Sequence, residues 1–113
     1  MQDRRREARM MCADMVEVRW QDAENQTQRA LALLEDIAPF GACLQLEMAL
    51  PPGVEVHWHS PGQSFAGIVR YCHYCEIGFF AGIEFSDACR WSRKAFQPQH
   101  LLDVRGLVAR TRE

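Results

Sequence analysis

Two short stretches hold the side chains best suited to gripping a ligand. The first, Arg4-Arg5-Arg6-Glu7-Ala8-Arg9, puts four arginines in six positions, with Arg5 and Arg9 in an Arg-x-x-x-Arg spacing. Arginine keeps its charge and presents a planar fork of donors that matches phosphate oxygens or the O6 and N7 edge of guanine. The second, Asp36-Ile37-Ala38-Pro39-Phe40-Gly41, sets a carboxylate, a small residue, a proline and a glycine between two apolar runs. That is the composition of a tight, shaped connection between strands. Alone, each has a plainer reading: an arginine run is more often a solvated arm, and a turn aspartate more often bonds its own backbone. Together they offer forks for anions and an acceptor for N–H groups, a set that suits a ligand carrying both phosphates and guanine edges.

A third constellation is Cys72-His73-Tyr74-Cys75, with Cys89 and the His57-x-His59 pair as further metal-type ligands. Structural zinc sites use Cys-x-x-Cys but usually show a second clear pair, and here only one more cysteine follows. On one extended strand Cys72 and Cys75 point to opposite faces, so buried thiols in a hairpin are the simpler reading. No paired carboxylates, Ser-His-Asp arrangement or glycine-rich phosphate loop stands out, and the expectation is a protein that is not an enzyme.

Composition narrows the partners. The formal charge is only -2, so the molecule as a whole has no field suited to long nucleic acid, and any anion site must be local. Of the 13 basic residues all but Lys94 are arginine, which favours bidentate contacts over diffuse attraction. Five irregularly spaced cysteines and an N-terminus without a secretory pattern lead to the expectation of a reduced, cytoplasmic protein. No apolar run approaches the ~18 residues that span a bilayer.

The 113 residues suffice for one domain with a modest core. Residues 1–12 read as an arginine-rich arm that orders on binding, 13–104 as the domain, and 105–113 as a polar tail. Alternation predicts strands that bury Val16, Val18 and Trp20, then Ala42, Leu44 and Leu46, then Val54, Val56 and Trp58, and last Phe79, Ala81, Ile83 and Phe85. Thr27 to Ile37 contains the helix-prone run Ala30 to Glu35, yet its place between strand-like runs makes it a strand. Ser64 to Tyr74 and Gly78 to Phe85 form a hairpin, and Ala88 to Phe96 suggests a short helix. Six short strands at roughly ten-residue spacing, separated by turn signals, describe an all-β barrel or sandwich with a small helical appendage.

The order of these features resembles the PilZ family: Arg5-x-x-x-Arg9, a strand pair, Asp36-x-Ala38-x-x-Gly41, a strand, then Gly67-Ile68-Val69-Arg70 and Gly82-Ile83-Glu84-Phe85. The resemblance spans residues 4 to about 86. It implies a six-stranded antiparallel barrel with a C-terminal helix, and a bacterial signalling role: binding the second messenger cyclic di-GMP and relaying the signal to a protein partner.

By the same resemblance Arg4, Arg5 and Arg9 would grip phosphates or a guanine edge, Asp36 would accept guanine N–H groups, and Gly41 would permit a positive φ or a close backbone approach to the base. The family pattern has serine where this chain has Ala38, so one hydroxyl contact is missing, about 0.5–1.5 kcal/mol. Two alternatives stay open: a module of the same fold that has lost nucleotide binding, and a small zinc-binding domain built on Cys72 and Cys75.

Overall fold

A computed structural model describes residues 9–92 and 94–98, and the backbone of 102–103. Its elements are β1 (Met10–Gln21), β2 (Thr27–Ala38), β3 (Gly41–Leu46), β4 (Glu55–Ser60), β5 (Gln63–Cys75), β6 (Gly78–Phe85) and the two-residue β7 (Leu102–Asp103). The strands run in the order β2-β3-β6-β5-β4-β1, every pairing is antiparallel, and a long β1–β2 ladder closes the sheet into a six-stranded barrel. β7 adds to the free edge of β1 beside Met10 and Met11. Among the described residues no helix is long and apolar enough to cross a membrane.

Alternation builds the core as the sequence implies. Val16, Val18 and Trp20, Ala42, Leu44 and Leu46, Val56 and Trp58, and Ala81, Ile83 and Phe85 are all buried; Val54 and Phe79 are only half-buried. In β2 the helix-prone run is extended: Ala32, Leu34 and Ile37 point inward while Leu31 lies on the surface. Pairing with β1 on one edge and β3 on the other outweighs intrinsic preferences of a few tenths of a kcal/mol per residue.

The turn between β1 and β2 is fixed by Asp22, whose Oδ1 accepts from the Glu24 and Gln26 backbone N–H groups at 2.9 Å each, with Asn25 at φ 63°. Between β4 and β5, Pro61 and Gly62 make the bend, and Gly62 at φ 87° needs glycine twice over. A Cβ there would be strained, and it would also lie 2.2 Å from the Ala95 carbonyl oxygen.

Two boundaries differ from the sequence reading. Met10, Met11 and Cys12, assigned to the arm, belong to β1, and Met10 and Cys12 are buried. Residues 1–8, with Arg4 and Arg5, and 104–113, with the tail, lie outside the described residues. The helix expected over Ala88 to Phe96 is not formed among the described residues, where Ser92 O accepts from Ala95 and Phe96 N–H in a single turn. The donor that would make the first intrahelical bond goes elsewhere: Trp91 N–H donates to Pro39 O at 3.1 Å. The segment instead straps the barrel, its Trp91 and Phe96 buried and joined by a Trp91 Nε1–H bond to Phe96 O at 2.9 Å.

The centre of the core is aromatic. Phe65 stacks on Trp58 at 5.2 Å between centroids, tilts against Phe85 at 5.3 Å and meets the edge of Phe96 at 5.8 Å. Trp58 is fully buried, and its Nε1–H has no hydrogen-bond partner among the described residues. Trp58→Ala is expected to destabilise by about 3–5 kcal/mol, through lost burial and the cavity left beside Phe65. Trp58→Phe should cost clearly less, because the indole N–H forfeits no bond. Urea unfolding of the three proteins checks this; an unchanged midpoint for Trp58→Ala contradicts the packing.

Candidate ligand-binding site

A cleft of about 290 Å³ lies on the outer wall of the barrel, and Arg9, Asp36, Ala38 and Gly41 all line it. Of the six candidate residues these are the four that are described; Arg4 and Arg5 fall outside. The cleft has a simple construction. Along one cross-strand row, Met11 pairs with Asp36, Asp36 with Cys43, Cys43 with Gly82, and Gly82 with Tyr71; along the next, Ala38 pairs with Gly41 and Gly41 with Glu84. Alternation puts both rows on the outer face. Their middle positions are glycine, alanine or cysteine, so the wall is dented there and rimmed by the longer side chains of Arg9, Asp36, Phe40, Arg70, Tyr71 and Glu84.

The same level of the barrel is where the ladders lose register. Shifts occur between Met11 and Asp14 in β1, Leu34 and Asp36 in β2, and Val69 and Tyr71 in β5. Bulges re-aim side chains and are over-represented next to functional sites. Here all three flank one cleft.

The turn differs from the sequence reading in extent. Asp36 and Ala38 sit inside β2 and Gly41 opens β3, leaving Pro39 and Phe40 as the whole connection. Gly41 is not at a positive φ. The close approach it permits is to the protein itself, since a Cβ there would lie 2.5 Å from Ile83 O on β6. Phe40 is held from outside by the Arg90 guanidinium, 4.4 Å above its ring centroid, while Arg90 Nη1 donates to Ser86 O at 2.8 Å and Cys89 O at 2.7 Å. The C-terminal strap therefore braces the turn.

Electrostatics separate Asp36 from an ordinary surface carboxylate. Burial raises its pKa above the usual 3.8, partly offset by the positive charge of Arg9 and a hydrogen bond from the Cys43 backbone N–H. The Cys43 thiol is pushed up to about 12 by burial and the nearby Asp36 and Glu35 charges, so it stays protonated and inert. Tyr71 is raised too, first by burial. Arg70 Nε donates to Glu84 Oε1, pairing the two charges on the far rim. Arg9 and Asp36 thus put a cation and an incompletely solvated acceptor at one side of a groove with a nearly bare floor.

Sequence reasoning missed Tyr71, whose position depends on a bulge. It touched Arg70, Gly82 and Glu84 only as parts of longer strings. Among the described residues no group of three or more His, Cys, Asp or Glu side chains is placed to hold an ion. His59 is engaged elsewhere, with its Nε2 accepting from Arg19 at 2.7 Å and its Nδ1–H donating to Ser64 Oγ at 2.6 Å. A larger depression of about 530 Å³ lies beside Arg19 and His57, where His57 Nε2 is 3.2 Å from Glu55 Oε1. No family model matches this chain, and no curated protein matches it.

Two expectations follow from this geometry. Because the folded pKa of Asp36 is raised, its contribution to stability is present below the unfolded value of 3.8 and is lost as pH rises through the folded pKa. At pH 7 Asp36→Asn should therefore be neutral or stabilising by thermal unfolding, the reverse of what removing a structural carboxylate would do. Gly41→Ala should destabilise by about 1–3 kcal/mol, since its Cβ would collide with β6 backbone. A melt equal to wild type would show that β3 and β6 can part at this point.

Proposed function

We propose that this chain is a PilZ-like receptor domain that binds cyclic di-GMP at the outer-wall cleft, a non-catalytic module of bacterial signalling acting through a protein partner in the cytoplasm. The observation that carries the reading is convergence. Arg9, Asp36, Ala38 and Gly41 were singled out on sequence alone from positions up to 32 residues apart, and all four line one cleft. The charge distribution agrees with it. The Arg9 fork suits a phosphodiester or a guanine O6/N7 edge, and Asp36 accepts guanine N1–H and N2–H, donors that adenine does not present in that pattern. The small floor residues let a flat base approach the sheet. Arg4 and Arg5, preceding the start of β1, supply the further forks that two phosphate charges call for.

Ala38 favours a second reading, a module of the same fold that no longer takes nucleotide. A serine hydroxyl at this rim would contribute about 1 kcal/mol, so its absence weakens binding by up to about tenfold if the rest of the cleft is intact. Ala38→Ser decides between the two. In the receptor reading it tightens cyclic di-GMP binding by up to about tenfold; in the other, neither protein binds.

Titration calorimetry with cyclic di-GMP is the test. Wild type should bind, and Arg9→Ala should lose about 1.5–3 kcal/mol, a charge-assisted bond, with little change in thermal stability. Equal affinity in wild type and Arg9→Ala contradicts the assignment. Affinity should also fall as pH drops through the raised pKa of Asp36, because the protonated carboxyl loses acceptor capacity just where guanine donates. An affinity unchanged down to pH 3.8, where a carboxyl with a raised pKa is at least half protonated, would remove Asp36 from the site.

A further inference from the structure

Strict alternation along β5 would send Tyr71 into the core. Val69 is buried and pairs with Ile83, yet Tyr71, two residues on, pairs with Gly82, only one step back along β6. The extra residue, Arg70, makes a bulge, and its effect is that Arg70 and Tyr71 both face outward onto the cleft. Tyr71 stays 41% exposed.

What lies beneath Tyr71 shows that the ring is seated. A Cβ on Gly82 would come 2.1 Å from Tyr71 Cε2 and 2.4 Å from Cζ, so the ring lies across the bare glycine backbone and no other residue at 82 would leave it there. His73, the next outward residue on β5, stacks on it with centroids 5.0 Å apart and planes at 24°. Asp36 and Arg9 act electrostatically on its hydroxyl from the opposite rim. An aromatic ring held by a glycine seat, on the rim of a groove that Arg9 lines and already stacked on one flat ring, is a platform for a planar heterocycle.

We propose that Tyr71 is a ligand-contacting residue of the cleft, its ring stacking on a purine base that takes the place of the His73 ring while Asp36 reads the base edge. This rests on the nucleotide reading above and adds a residue that the sequence motifs do not contain. Stacking tolerates any base, so in this division of labour Tyr71 supplies affinity and Asp36 supplies the choice of guanine.

The test compares wild type, Tyr71→Phe and Tyr71→Leu by titration with cyclic di-GMP, each first checked by thermal unfolding. Tyr71→Phe keeps the ring and should bind within about threefold of wild type, whereas Tyr71→Leu should bind roughly 5- to 150-fold more weakly, the span of one lost base–aromatic stack. A Tyr71→Leu affinity within about twofold of wild type overturns the proposal, and so does an equal loss in both variants, which would assign the contact to the hydroxyl. If wild type itself does not bind, the nucleotide reading fails and the proposal with it. A measurement without substitutions guards against a variant that does not fold: in wild type with bound cyclic di-GMP, a guanine H8 proton should move upfield and show a nuclear Overhauser effect to the Tyr71 ring. Bound nucleotide without that contact overturns the stack.

Discussion

A small closed barrel must send every second side chain into one shared core, and that constraint governs both the stability and the site of this protein. The inner set is nearly continuous, from Val16 and Val18 through Trp58 and Phe65 to Phe85. The outer set is free of packing duties, so it can be thinned to glycine, alanine and cysteine without opening the interior. The cleft is such a thinned region. It occurs where three strands bulge, so the same local breaks in register that bend the wall also turn Asp36, Arg70 and Tyr71 toward one place.

The strap after β6 ties this region to the rest of the fold. Trp91 is bonded to the Pro39 carbonyl, Arg90 covers Phe40, Phe96 enters the aromatic core, and β7 returns to pair with Met10 and Met11. The β2–β3 turn and the start of β1, both beside the Arg9 and Asp36 side of the cleft, are thus held from the C-terminal side of β6. Asp36 runs against this economy. Its carboxylate is kept partly out of water, which raises its pKa, and a donor-rich ligand would offset that cost. A side chain held at a disadvantage to folding, in a groove, is typical of binding sites.

Much of this was legible in the sequence because period-two alternation is a strong signal. It located most strands of the barrel and most of their inward residues, while the helix-prone run Ala30 to Glu35 was read as a strand from its place between strand-like runs. The helix expected over Ala88 to Phe96 shows the limit: local composition cannot reveal that Trp91 N–H is taken by Pro39, 52 residues away. The extent of the Asp36 to Gly41 turn was misread for a related reason, since proline and glycine mark a bend without saying how many residues stay paired on each side. Arg9, Asp36, Ala38 and Gly41 were visible by type and order. Tyr71 was not, because a bulge inverts the faces predicted by alternation and only the register with Gly82 reveals it.

The proposed role of the outer-wall cleft is to take a guanine dinucleotide. Amide spectra of ¹⁵N-labelled protein titrated with cyclic di-GMP test it most directly. The account predicts saturable shifts clustered at Arg9, Asp36, Gly41, Cys43, Tyr71 and Gly82, with the amides around Arg19 and His57 unmoved. Saturable shifts centred on Arg19 and His57, or a spectrum unchanged at every amide, would contradict it.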